Sequence, residues 1–319
     1  MLEGLTFQGR PASQTDSPVA AGGMAPCLLA VSGGPLYVAN CRFTVFASPA
    51  ARVGCLGMWR GSTCVIRNSE LHAPRGTGVQ WAPVSGAAAT LKLDNVISSS
   101  RMVVVVRKND DASATLQASR CTLVAGALAA ADEAVEPKGL LVDLADDVLS
   151  LRALVCDPHA GGSPGRLKGV SLQSAGTVLD YVTPDDPDSA GIPAAASLEA
   201  ATGLADPTAT STRPPPPGRP SARFRTFIDG RVQFSRDIRA RTAQGQFPDV
   251  TDFQVQWVKL SNRGVIAPRR MATLGARPDT VGPGGPYETF RRSPAYESWQ
   301  HEADGALTGA AADAPAVVR

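Results

Sequence analysis

The chain has 319 residues, 43% hydrophobic and 5% aromatic, with 31 Lys/Arg against 29 Asp/Glu and a formal net charge of +2. That length and apolar content suffice for one sizeable core plus an appendage. The near-neutral balance excludes binding to nucleic acid or an anionic membrane through bulk charge. No charged-then-apolar leader opens the sequence and no apolar run approaches about 20 residues, which predicts a cytoplasmic protein without signal peptide or membrane span.

Met1 to Gly9 reads as the end of a rung, with Leu2, Leu5 and Phe7 matching Val38, Cys41 and Phe43 further on. A coil that opens in mid-rung predicts continuation of the chain upstream, because exposed parallel edges are normally covered. Residues 10 to 26 form a first excursion loop rich in Gly and Pro. The stretch Leu36 to Phe43 then sets a pattern that returns at Cys64 to Leu71, Leu91 to Ser98, Leu116 to Leu123 and Leu149 to Cys156. Anchored on Asn40, Asn68 and Asn95, the steps are 28 and 27 residues, then 25 to Arg120 and 33 to Ala153. A recurring period of that size marks a solenoid.

Within a rung the apolar residues alternate, as a strand with one buried face requires. Tyr37, Arg67, Lys92, Asp94 and Gln117 fall on the outward positions. A second apolar run lies upstream of each first one, at 27–31, 55–59, 78–81, 102–106 and 140–144, which predicts two strands per turn. The period, the short strands and the Gly/Ser/Asn bends exclude leucine-rich and helical solenoids. They predict an all-β fold, a parallel β-helix whose rungs stack about 4.8 Å apart. Asn40, Asn68 and Asn95 then form a candidate structural ladder at an inward bend, each amide bonding the one above and below. Ordinary solvent-facing turn residues are the alternative.

Gly169 to Leu172 and Thr177 to Val182 read as one shortened turn, giving a β-helix domain over 1–182. Residues 183–222 turn to Pro, Ala, Asp and Thr and end in Arg213 to Pro220, a stiff Pro-rich linker. Residues 223–302 form a small basic segment; 13 Lys/Arg against 7 Asp/Glu fall within 223–301. Strands are expected at 223–234 and 253–258. The interleaving of Phe224, Arg225, Phe227, Arg231, Phe234 and Arg236 suits a stacking surface for single-stranded nucleic acid, but it equally describes a half-buried strand with a basic outer face, and the latter is preferred. Ser293 and Pro294 make an N-cap and N1 pair, and Tyr296 and Trp299 share a face of the short helix that follows. That face is expected to dock on the preceding domain, and the Ala-rich residues 303–319 are expected to be a disordered tail.

Six cysteines read as reduced core thiols. Cys41 and Cys121 occupy one inward column three rungs apart, about 14 Å, too far to bond each other; Cys27 and Cys55 are the pair on adjacent rungs. No Cys-x-x-Cys or Cys/His cluster points to zinc, and no metal or cofactor is expected. The single candidate constellation is Arg67 and Asp94 in one outward column on adjacent rungs, with Lys92, Glu70 and Arg152 near. A ladder of exposed ion pairs, each worth about 0–1 kcal/mol, accounts for it; a carbohydrate-binding or polysaccharide-cleaving face is the alternative. A glycosidase needs two facing carboxylates, which reduces to Glu70 and Asp94. His72 is expected in a rung-end loop, His159 in a Gly/Pro loop and His301 near the tail, so no catalytic histidine emerges. Gly282-Pro283-Gly284-Gly285 lacks the ending of a phosphate loop, and Asp252-Phe253 is followed by Gln254 rather than the Gly of a kinase.

The rungs Leu36 to Phe43, Gly54 to Gly61 and Ala114 to Leu123 resemble the C-terminal right-handed, pectin-lyase-like β-helix region of large bacterial proteins, several of which carry a serine/threonine protein kinase domain at the N-terminus. Val281 to Gly284, Tyr287-Glu288 and Ser293 to Tyr296 with Trp299 are similar to the tail of such proteins. The resemblance implies a right-handed β-helix that is the non-catalytic module of a kinase-like protein, with no catalytic residue to carry over. A structural or interaction module with a protein or glycan partner is therefore expected, the alternative being a carbohydrate-active face built on Arg67, Lys92, Asp94 and Glu70.

Overall fold

The computed structural model describes residues 1–9, 26–46, 53–83, 88–107, 113–131, 139–156, 170–181, 197–202, 227–244, 246–260, 264–265 and 273–312. Most of them form a parallel β-solenoid. One flank is a seven-stranded sheet made of Leu2–Glu3, Leu36–Ala39, Thr63–Arg67, Ala89–Asp94, Ala114–Ser119, Leu140–Ala145 and Val170–Ala175, each strand parallel to the next. After a two-residue bend the chain enters a second flank, made of Thr6–Gly9, Arg42–Val45, the first parts of Glu70–Ala82, Ile97–Val106 and Thr122–Ala131, and then Val148–Ser150 and Val178–Asp180. A third flank stacks Cys27–Ser32, Gly54–Trp59, the later halves of the three long strands and Ala153–Cys156.

Each turn thus has three β faces, where the sequence predicts two. The reason is the bend between the first two. Its first residue takes a left-handed conformation in every rung: Gly4, Asn40, Asn68, Asn95, Arg120, Asp146 and Gly176 have φ between 48° and 74°. A bend this tight shifts the alternation by one position, from Leu36 and Val38 to Cys41 and Phe43, and leaves no polar gap, so the two faces read as one run. Asn recurs here because it and Gly tolerate this backbone best.

The last predicted repeat is out of register. Leu140–Ala145 pairs with Ala114–Ser119, so the equivalent of Leu116 to Leu123 is Val142 to Leu149, and the fifth bend residue is Asp146, not Ala153. Ala153 pairs with Ala127 on the third flank. The slip arose because that flank is built there from Ala127, Ala129 and Ala130, which carry little strand signal and gave no apolar run to anchor the count.

Inward columns run the length of the coil. Leu36, Cys64, Leu91, Leu116 and Val142 stack on the first flank, and Phe43, Leu71, Leu123, Leu149 and Leu179 on the second, all buried in one core. Phe7 stacks flat on Phe43 with ring centroids 4.7 Å apart. At the far end Ile228–Phe234 pairs parallel to Val178–Asp180 and then antiparallel to Val255–Leu260, so the segment after residue 227 continues the second flank. Phe227 and Ala201, the latter from helix α1 (Leu198–Thr202), join the core there. Helix α2 (Ile238–Ala243) and the 3-10 turn Val250–Phe253 then fold back over the outer surface of the second flank, where Ile238, Phe253 and Val281 bury Ile97 and Val124. Helices α3 (Gly285–Arg291) and α4 (Pro294–Ala312) cover the first flank at Tyr37, Ala39 and Val65. Helix α4 extends through residues expected to be a tail. Trp299 and Ala303, one turn apart, are fully buried against the coil, and packing of that kind sustains a helix whatever its local composition. No helix among the described residues is long and apolar enough to cross a membrane. The Pro-rich run 213–220, His159, Phe224 and Arg225 lie outside the described residues.

Candidate functional site

The Asn column joins the coil to its C-terminal segment. Asn95 Nδ2 donates to Asn68 Oδ1 at 2.7 Å, and Asn68 Nδ2 to Asn40 Oδ1 at 3.4 Å. The ladder does not face the apolar interior as the inward reading has it. A strap, residues 273–284, crosses it from one rung to the next. Gly275 N donates to Asp146 O, Ala276 N to Thr122 Oγ1 and Arg277 N to Asn95 Oδ1. Further along, Gly282 N donates to Asn68 O, and Asn40 Nδ2 donates to the carbonyls of Thr280 and Gly282, each at 3.0 Å. Two glycines let the strap lie this close. Gly275 and Gly282 have φ of 72° and 91°, and a Cβ would sit 2.6 Å from Thr122 Oγ1 or 2.4 Å from Glu70 Oε1.

Beyond the strap, helices α3 and α4 converge on Glu3. The Glu3 carboxylate accepts from Tyr287 Oη at 3.0 Å, Tyr296 Oη at 2.9 Å and Trp299 Nε1 at 2.7 Å. Burial, and next the bond to this carboxylate, push both tyrosine hydroxyls above the usual phenol range. Trp299 also meets Tyr37 edge to face at 5.3 Å, and the Arg67 guanidinium lies 5.2 Å from its ring centroid. Tyr296 and Trp299 thus share the docking face expected of them. Nothing in the sequence marks Glu3 as their partner, 293 and 296 positions away.

The outward constellation is divided. Arg67 and Asp94 are register partners and form an ion pair at 3.1 Å. Asp94 also takes Arg120 and accepts from Ser119 Oγ, so it serves the rung on each side. Lys92 lies two residues along the same strand, in register with Val65 and Gln117. Glu70 lies beyond the bend on the second flank, 1% exposed beneath Gly282, paired with Arg42 at 2.9 Å and His72 at 3.1 Å. Arg152 is buried at the bend before Ala153, where its amide donates to Gly126 O. The two candidate carboxylates therefore do not face each other across open space.

His72 is in the Glu70–Ala82 strand, not in a rung-end loop, and is 1% exposed. The strand passes through the nearby Pro74 and Gly76 with a register shift against its neighbour. Its Nε2 is 3.1 Å from Glu70 Oε2 and its Nδ1 is 3.0 Å from Ser99 Oγ, with Phe253 packed 5.8 Å away. With Arg42, which reaches solvent, these residues make a polar chain, Arg42–Glu70–His72–Ser99, whose Glu70, His72 and Ser99 are buried. His301, on α4, is exposed.

Another buried acid escaped sequence analysis. Asp147, fully buried after the bend residue Asp146, accepts from the amides of Cys121 at 2.7 Å and Ala145 at 3.0 Å. Burial dominates and raises its carboxyl to about 8. Cys41 and Cys121 are buried free thiols; burial raises the first to about 11 and the second well above the usual thiol value. Of the aromatic and basic interleaving, Phe227 is buried in the core, and Arg231 pairs with Asp180 at 2.9 Å and lies over the Tyr181 ring. No group of three or more His, Cys, Asp or Glu among the described residues could hold a metal ion.

Comparison with protein-family models, curated proteins and solved structures finds no match to this chain. The architecture stands on its own geometry as a β-solenoid.

Proposed function

We propose that this protein is a non-catalytic β-solenoid structural or interaction module. The observation that carries this reading is that the outward ionisable side chains are engaged with one another: Asp94 pairs with Arg67 and Arg120, and buried Glu70 pairs with Arg42 and His72. At the far end the coil runs into the Ile228–Phe234 hairpin, Phe227 and α1. At the near end, Leu2–Glu3, Thr6–Gly9 and Cys27–Ser32 each pair on one side only among the described residues. There Met1 is 47% and Leu5 44% exposed, two of the three exposed large apolar side chains in the described residues. Parallel edges with apolar side chains are templates for strand addition, whether by further residues of the same chain or by a partner. The ion pairing of Asp94 and the burial of Glu70 support a non-catalytic role over a polysaccharide-cleaving one.

The finer reading, a right-handed coil of the kind that follows bacterial kinase domains, rests on the sequence resemblance, and it expects kinase motifs in the genomic frame upstream of the Met1 codon. The docking reading is tested by light scattering over a concentration series. Wild type is expected to self-associate through the open edge, and Leu5→Lys to reduce this with its circular dichroism unchanged. A monomer at every concentration, or association indifferent to Leu5→Lys, removes the argument for a docking end. Cleavage of any member of a polysaccharide panel that disappears in Asp94→Asn would refute the non-catalytic assignment.

A further inference from the structure

A cleft of about 220 Å³ opens where the C-terminal segment meets the coil. Its lining combines outward residues of the second flank, Val124, Ser150 and Asp180, with Phe234, Arg236 and Arg239 from the hairpin and α2. Its charges are unequally matched. Asp180 is fully engaged, one oxygen accepting from Arg231 and the other from Val232 N. Asp237 is occupied in capping α2 through the amide of Ala240. Arg239 is pinned by a 2.8 Å bond from its guanidinium to Ser150 O. Arg236 is exposed and has no carboxylate partner among the described residues. With Asp180 paired to Arg231, the lining sets the Arg236 and Arg239 guanidiniums against the single carboxylate of Asp237, so the cleft keeps an excess of positive charge over an apolar floor.

We propose that this cleft binds a small organic oxyanion, a carboxylate or phosphate attached to an apolar body. The charge selects an anion, and guanidinium groups pair well with either oxyanion. Val124 and Phe234 supply the apolar contact that inorganic ions cannot use. The cleft is wide enough to admit a ligand of one small ring. The site is independent of the docking end, so its failure leaves that reading untouched.

Calorimetric titration with benzoate and with phenyl phosphate, using benzyl alcohol as the neutral control, tests it. At least one oxyanion should bind saturably below about 10 mM, more tightly than benzyl alcohol and less tightly as salt screens the exposed Arg236. Whichever binds more strongly identifies the headgroup. Arg236→Ala, at an exposed position, should keep the wild-type melting curve and weaken binding by about tenfold or more, the usual loss for a hydrogen bond to a charged group; Arg236→Lys should recover part of it. Absence of saturable binding by both oxyanions, equal binding of benzyl alcohol, or unchanged affinity in Arg236→Ala overturns the proposal.

Discussion

Glu3→Gln is the most direct probe of how the C-terminal segment is held. In the wild type three donors converge on one carboxylate: Tyr287 and Tyr296 on Oε2 and Trp299 on Oε1. Hydrogen bonds to a charged group contribute about 1.5–3 kcal/mol each, and neutral ones about 1 kcal/mol. Glutamine removes the charge and supplies one acceptor oxygen. Trp Nε1 can only donate, so the carbonyl must serve it and the amide must face the phenols, which can rotate to accept. The expected loss is about 2–4 kcal/mol, confined to docking of α3 and α4 because the coil core does not include Glu3. Native-state hydrogen exchange should show protection of α4 amides falling by about 30- to 1000-fold, at about 1.4 kcal/mol per tenfold, while strands such as Ala114–Ser119 keep theirs. Unchanged α4 protection would refute the role assigned to Glu3. A fall shared equally by the core strands would show that the segment does not open separately.

Three further outcomes follow from the same geometry. Asn68→Gly keeps the left-handed bend and loses the ladder, whereas Asn68→Ala loses both. Urea unfolding should cost about 1–2 kcal/mol for the first and about 1 kcal/mol more for the second, and equal values would mean that the backbone requirement is absent. Asp147 has a folded pKa raised from 3.8 to about 8, so the folded state binds the proton more tightly. Its contribution is complete below the unfolded value and declines as pH rises through about 8, by on the order of a few kcal/mol. Urea midpoints at pH 5 and pH 8 should differ in wild type and differ less in Asp147→Asn. Tyr287 and Tyr296 are likewise raised above the usual phenol value of 10.0, so docking of α4 should weaken as pH climbs beyond about 10. Proteolysis of α4 at pH 8 and pH 11 checks this, with faster cleavage expected at the higher pH after correction for protease activity.

The solenoid was legible because the rungs repeat the same local problem: an apolar alternation, a bend that favours Asn or Gly, and a step of 25 to 28 residues across the four bend positions from Asn40 to Arg120. Register between rungs followed wherever those signals coincided, as for Leu2 with Val38 and Arg67 with Asp94. It failed where Ala replaced the larger side chains of the third flank, since alanine contributes too little to a strand pattern to hold the count. The third face itself was hidden by a bend only two residues long.

The sequence by itself determined the coil, the inward columns, the shared face of Tyr296 and Trp299 and the separation of Cys41 from Cys121, all consequences of short-range periodicity and strand spacing. Only the tertiary structure decided what the coil is covered by. The strap on the Asn ladder, the Glu3 carboxylate gathering three donors, the burial of Glu70, His72 and Ser99 and the cleft at Arg236 all depend on the C-terminal residues returning along the coil. Those contacts span up to 296 positions and carry no period. Each partner, considered alone, is an ordinary polar residue, and its role exists only once packing has brought the two distant segments together and excluded water between them.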